Sequence, residues 1–65
     1  AEALYRRVLA VDPDHTNAMN NLANRLSEIP GGRQEALSLY RRALAIDPHD
    51  EDVRYNLASE LSSDP

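Results

Sequence analysis

Shifted by 35 positions, the sequence falls back on itself. Leu4-Tyr5-Arg6-Arg7 then meets Leu39-Tyr40-Arg41-Arg42, Leu9-Ala10 meets Leu44-Ala45, and Asp12-Pro13 meets Asp47-Pro48. Further along, Asn21-Leu22-Ala23 meets Asn56-Leu57-Ala58, Leu26-Ser27 meets Leu61-Ser62, and Pro30 meets Pro65. So many ordered matches in a short chain exclude coincidence. A period of this length marks a stacked array of supersecondary units, each of which needs its neighbours to bury its apolar side.

Each unit holds two helices. From about Asp14 to Glu28, Ala18, Leu22, Leu26 and Ile29 recur at helical spacing, with Met19 and Ala23 beside them. Ile29-Pro30-Gly31-Gly32 breaks that helix, since Pro has no N–H and Gly accepts positive φ. A second helix is expected from about Arg33 to Ile46, with Ala36, Leu37, Tyr40, Ala43 and Leu44 as its apolar stripe. Asp47-Pro48 ends it, because the residue before Pro is pushed out of the α region. The next helix opens near Asp50, where Asp50, Glu51 and Asp52 suit the positive end of a helix dipole. The segment 1–13 is thus read as the second helix of a preceding repeat, 14–48 as one complete repeat, and 49–65 as the first helix of a following one. The expected fold is all-α: a right-handed solenoid of antiparallel helix hairpins, four helices in this segment.

Composition narrows the function. The 65 residues allow one small domain at most, and a chain this short buries only roughly 60% of its unfolded surface. There is no Cys to supply a disulfide or a thiolate metal site. A net charge of −4 argues against nucleic acid as the partner. No stretch is long and apolar enough to span a membrane. The chain opens on Ala1-Glu2-Ala3-Leu4, which reads as the inside of a helix, and closes on Asp64-Pro65, which reads as a loop; both ends look like cuts through a longer protein. Leu4 and Leu9 at one end and Leu57 and Leu61 at the other are expected to be under-covered. Weak stability, or self-association through the end helices, should follow.

These residues resemble the tetratricopeptide repeat, a helix hairpin of about 34 residues. Leu22, Ala23 and Leu26 match its first-helix signature, and Ala36, Tyr40, Ala43 and Pro48 match its second. The resemblance covers essentially the whole chain. The extra residue of this unit falls in the Pro30-Gly31-Gly32 turn. Met19 replaces the usual large aromatic, and Arg54 stands at the corresponding place of the last helix. The pentatricopeptide repeat, which reads RNA, shares the 35-residue period, but the Asp-Pro ending and the acidic balance fit it poorly.

In tetratricopeptide arrays, the first helices of successive units line a concave groove that holds other proteins. The resemblance puts Asn17, Asn20, Asn21, Asn24, Ser27 and Glu28 in that groove, followed by Asp52, Tyr55, Asn56, Ser59 and Ser62 of the next unit. Four Asn on one stripe are unusual for a solvated helix face, because Asn is a weak helix former. Its amide carries donors and an acceptor, so it can bond the C=O and N–H of an extended peptide. The Asn21 and Asn56 triplets are similar to the repeats of the O-linked N-acetylglucosamine transferase family, where an Asn ladder grips peptide backbones. The blander reading is that these Asn tie neighbouring helices together. A carboxylate clamp needs Lys or Arg in the groove. The resemblance places Asn20, Asn24, Tyr55 and Ser59 there instead, and the chain has no Lys.

No catalytic, metal or cofactor site is apparent. His15 and His49 lie in separate turns without ligand spacing. Ser27 and Ser62 have no His nearby to activate them, and Glu28 and Glu35 are isolated. Arg6-Arg7 and Arg41-Arg42 read as a solvated outer face making pairs one helical turn apart. The expectation is a non-enzymatic module whose partner is a protein or peptide, with no nucleic acid and no membrane. A substrate-recruiting arm of an enzyme such as a glycosyltransferase, or a structural scaffold, are the alternatives.

Overall fold

The computed structural model describes residues 2–62, which form four helices and, among these residues, no strand. They are α1 (Glu2–Val11), α2 (Thr16–Ser27), α3 (Arg33–Ile46) and α4 (Glu51–Ser62). The expected turn at Asp64-Pro65 and the start at Ala1 lie outside the described residues. The fold is all-α, as the helical spacing predicts.

The α1–α2 and α3–α4 turns are copies of one another at the sequence period. Asp12 Oδ1 accepts from the Asp14 amide, and Asp47 Oδ1 accepts from the His49 amide, each at 3.3 Å. The His15 amide donates to the Asp12 carbonyl and the Asp50 amide to the Asp47 carbonyl. His15 Nδ1 then accepts from the Ala18 amide at 3.1 Å, and Asp50 Oδ1 accepts from the Val53 amide at 3.2 Å. In both cases a side chain satisfies one of the orphan donors of a first helical turn. α2 therefore starts at Thr16, two residues later than the expected start at about Asp14, with His15 as its cap.

The core lies between α2 and α3. Met19, Leu22, Ala23 and Leu26 from α2 pack with Ala36, Leu39, Tyr40 and Ala43 from α3. α1 contributes no fully buried residue, only the half-buried Tyr5 and Leu9. α4 contributes Val53, with Leu57 partly covered. Three expectations change here. Ile29 falls beyond the end of α2 and stays 44% exposed, so it leaves the core stripe. In α4 the buried position is Val53, not its neighbour Arg54, which faces solvent. Val53 is the counterpart of Ala18, which is buried in α2, so the repeat is kept at that position, while Arg54, the counterpart of the buried Met19, stays in solvent. Leu39, absent from the expected stripe, is buried.

Helix α2 meets all three other helices, and α3 also meets α4. Arg33, at the start of α3, pairs with Glu60, near the end of α4, at 3.3 Å, so these two helices run antiparallel. Arg6 of α1 pairs with Glu2 one turn earlier at 2.9 Å and with Glu35 of α3 at 3.1 Å. Those exposed pairs each contribute little, on the order of 0–1 kcal/mol. The Cα extents are 36 × 28 × 14 Å. The short dimension matches two helices stacked about 9 Å apart.

The α2–α3 turn depends on its two glycines for different reasons. Gly31 sits at φ +84° with open space around it. Gly32 has ordinary φ, but a Cβ there would lie 2.3 Å from the Leu26 carbonyl oxygen. Gly31→Ala should cost about 1–2 kcal/mol in urea unfolding, and Gly31→Asn should recover much of it, because Asn tolerates the left-handed region. Gly32→Ala should cost about 1–3 kcal/mol by overpacking, and Gly32→Asn should recover none of it.

Candidate functional site

The polar residues of α2 and α4 come together where these two helices lie side by side. Asn56 Nδ2 donates to Asn20 Oδ1 at 2.9 Å, joining residues from different units. Both are half-buried. The bond consumes one donor and one acceptor. It leaves the Asn20 Nδ2 group on α2 and the Asn56 Oδ1 on α4 without a bond to any other described residue.

One turn further along α2, Asn24 Oδ1 accepts from the Tyr40 hydroxyl of α3. The ring of Tyr40 is buried in the core, so its hydroxyl needs a partner at the end of its reach. Asn24 supplies it. Burial holds the Tyr40 phenol above its usual range, with the Glu60 carboxylate adding to the effect and Ser27 partly opposing it. Ser27 donates its hydroxyl to the Asn24 carbonyl at 2.8 Å, and Ser62 does the same to the Ser59 carbonyl at 3.1 Å. These two hydroxyls are engaged with their own helix.

The other expected groove residues are open. Asn17, Asn21, Asp52 and Ser59 are exposed, and Tyr55 is 74% exposed. The side chains of Asn17, Asn21 and Tyr55 bond to no other described residue. Glu28 is the exposed C-cap of α2. The structure therefore divides the polar stripe in two. Asn20, Asn24 and Asn56 tie helices together, as the blander reading holds, while Asn17, Asn21, Asp52, Tyr55 and Ser59 face solvent.

Three polar roles were not visible in the sequence. His15 caps α2, Tyr40 reaches across to Asn24, and Arg33 clasps both the side chain and, at 3.4 Å, the carbonyl of Glu60. The identity of the shifted positions His15 and Asp50 was the one signal that could have revealed the first. No group of His, Cys, Asp and Glu suited to a metal ion occurs among the described residues. No described helix is long and apolar enough to cross a membrane.

No family model, curated protein or solved structure matches this chain.

Tyr40→Phe should cost roughly 0.5–1.5 kcal/mol, the usual net contribution of one hydrogen bond. It should also change the alkaline limb of the stability curve. The folded chain keeps the phenol neutral above the unfolded value of 10.0, so this contribution is complete below that pH and is lost as pH rises through the folded value. Thermal unfolding of Tyr40→Phe should fall less steeply above about pH 10 than that of the wild type.

Proposed function

We propose that this chain is a segment of a right-handed solenoid of the tetratricopeptide type, and that its α2–α4 face holds an extended segment of a partner protein. The observation that carries this reading is the Asn20–Asn56 bridge with its remaining amide groups. A donor on one helix stands beside an acceptor on the next. An extended peptide offers the complement, a C=O and an N–H on the same backbone edge. The 35-residue equivalence of the turns supports the repeat.

Asn17 and Asn21 extend the amide surface along α2, and Tyr55 supplies an exposed aromatic face on α4. Backbone contacts to Asn would give affinity with little sequence preference. Tyr55, Asp52 and Ser59 would sort the partner's side chains. Because the helices are already in place, little ordering opposes binding beyond that of the peptide.

Random-sequence peptides displayed on phage and selected on the wild-type chain provide the test. Selected peptides should lose roughly 1–3 kcal/mol of affinity on the Asn20→Ala, Asn56→Ala double variant, provided its helicity is retained. Asn21→Ala should weaken them further if the amide surface continues along α2. Equal affinity for the wild type and the double variant, or failure to recover any peptide, would remove the groove from consideration.

A further inference from the structure

Two amides on α2 turn their oxygens to neighbouring helices and keep their N–H groups free. Asn20 Oδ1 accepts from Asn56 Nδ2 of α4, and Asn24 Oδ1 accepts from the Tyr40 hydroxyl of α3. Neither Nδ2 group bonds to another described residue. Neither is sealed in the interior. Both side chains are half-buried, and no buried side-chain nitrogen or oxygen among the described residues is left without a partner. Each free Nδ2 therefore reaches the surface. Asn17 and Asn21 differ, because their side chains bond to no other described residue and can turn either end of the amide outward.

The spacing of these two donors has a match in an extended chain. Residues four apart share one side of a helix and stand roughly 6 Å apart along its axis. An extended strand shows a backbone C=O on the same edge at every second residue, roughly 6.5 Å apart. Two alternate carbonyls of one strand edge therefore fit two amide nitrogens one helical turn apart. The contacts that orient these amides are all internal to α2, α3 and α4.

We propose that the partner segment lies along α2 as an extended strand, with two alternate backbone carbonyls on Asn20 Nδ2 and Asn24 Nδ2. This rests on the peptide-binding reading and adds to it a path and a second anchoring residue. Between those two carbonyls the same strand edge presents one N–H. Asn56 Oδ1, held beside Asn20, is the acceptor for it. Tyr40 is a positioning residue in this arrangement. Its hydroxyl does not meet the peptide. It holds the Asn24 oxygen inward and so aims the amide nitrogen outward. The partner is thus recognised by its main chain, read lengthwise along one helix rather than across the array.

The probe is a phage-selected peptide without ionisable side chains, titrated by isothermal titration calorimetry. Asn20→Asp and Asn24→Asp each replace the free N–H donors by an oxygen and keep the acceptor for Asn56 or Tyr40. Circular dichroism should show helicity retained. Each variant should bind about tenfold more weakly or worse, because a peptide carbonyl then faces an oxygen. Tyr40→Phe should weaken binding less than Asn24→Asp, since the Asn24 amide is freed rather than lost. A nitroxide on either terminus of the peptide gives a second measurement on the wild type alone. The two labels should broaden the NMR signals of opposite ends of α2, near His15 in one case and near Gly31 in the other. Unchanged affinity in a folded Asn24→Asp overturns the proposal. So do labels that separate α2 from α4 instead of the two ends of α2. Either result leaves the groove reading standing if the Asn20→Ala, Asn56→Ala variant still loses affinity. Failure to select any peptide removes both.

Discussion

One face of α2 organises this chain. Met19, Leu22, Ala23 and Leu26 are buried together, and the helix that carries them touches every other helix. Covering such a leucine fully is worth roughly 1.5–3 kcal/mol, more than any ion pair on this surface. Helices α1 and α4 have no comparable face turned inward. α1 leans Tyr5 and Leu9 on the core, and α4 offers Val53. Order is therefore concentrated in the central hairpin, and the flanking helices depend on it.

Much of this was legible in the sequence because the period and the apolar spacing are both strict. Four helices, the two breaks at Pro-Gly-Gly and Asp-Pro, and most of the α2 and α3 core follow from residue type and position. What was not legible required knowing which atoms compete. The helix was expected to open at about Asp14, but the Asp14 amide is held by Asp12 in a turn, and the helix begins two residues later. His15 then meets the Ala18 amide. Arg54 stands at the place of the buried Met19, yet it lies in solvent, and α4 is anchored by Val53, the counterpart of the buried Ala18.

The Asn residues show a different limit. A shift of the sequence against itself pairs equivalent positions, so it singles out Asn21 with Asn56. Contacts between stacked helices join non-equivalent positions, and here Asn56 finds Asn20. Periodicity predicts which residues share a role. It does not predict which of them touch, because that depends on how one helix is offset from its neighbour. The same Asn-rich stripe thus contains both structural ties and open surface, and only the offset separates them.

Tyr40 belongs to both the interior and the polar face. Its ring is packed among the core side chains, and its hydroxyl ends on Asn24, beside the Asn20–Asn56 pair. A molecule that settles on this face and claims the Asn24 oxygen strips the phenol of its acceptor. One that brings a carbonyl of its own can replace what it displaces. Selectivity at this spot would then be imposed from beneath, by a core residue that the visitor never contacts through its ring.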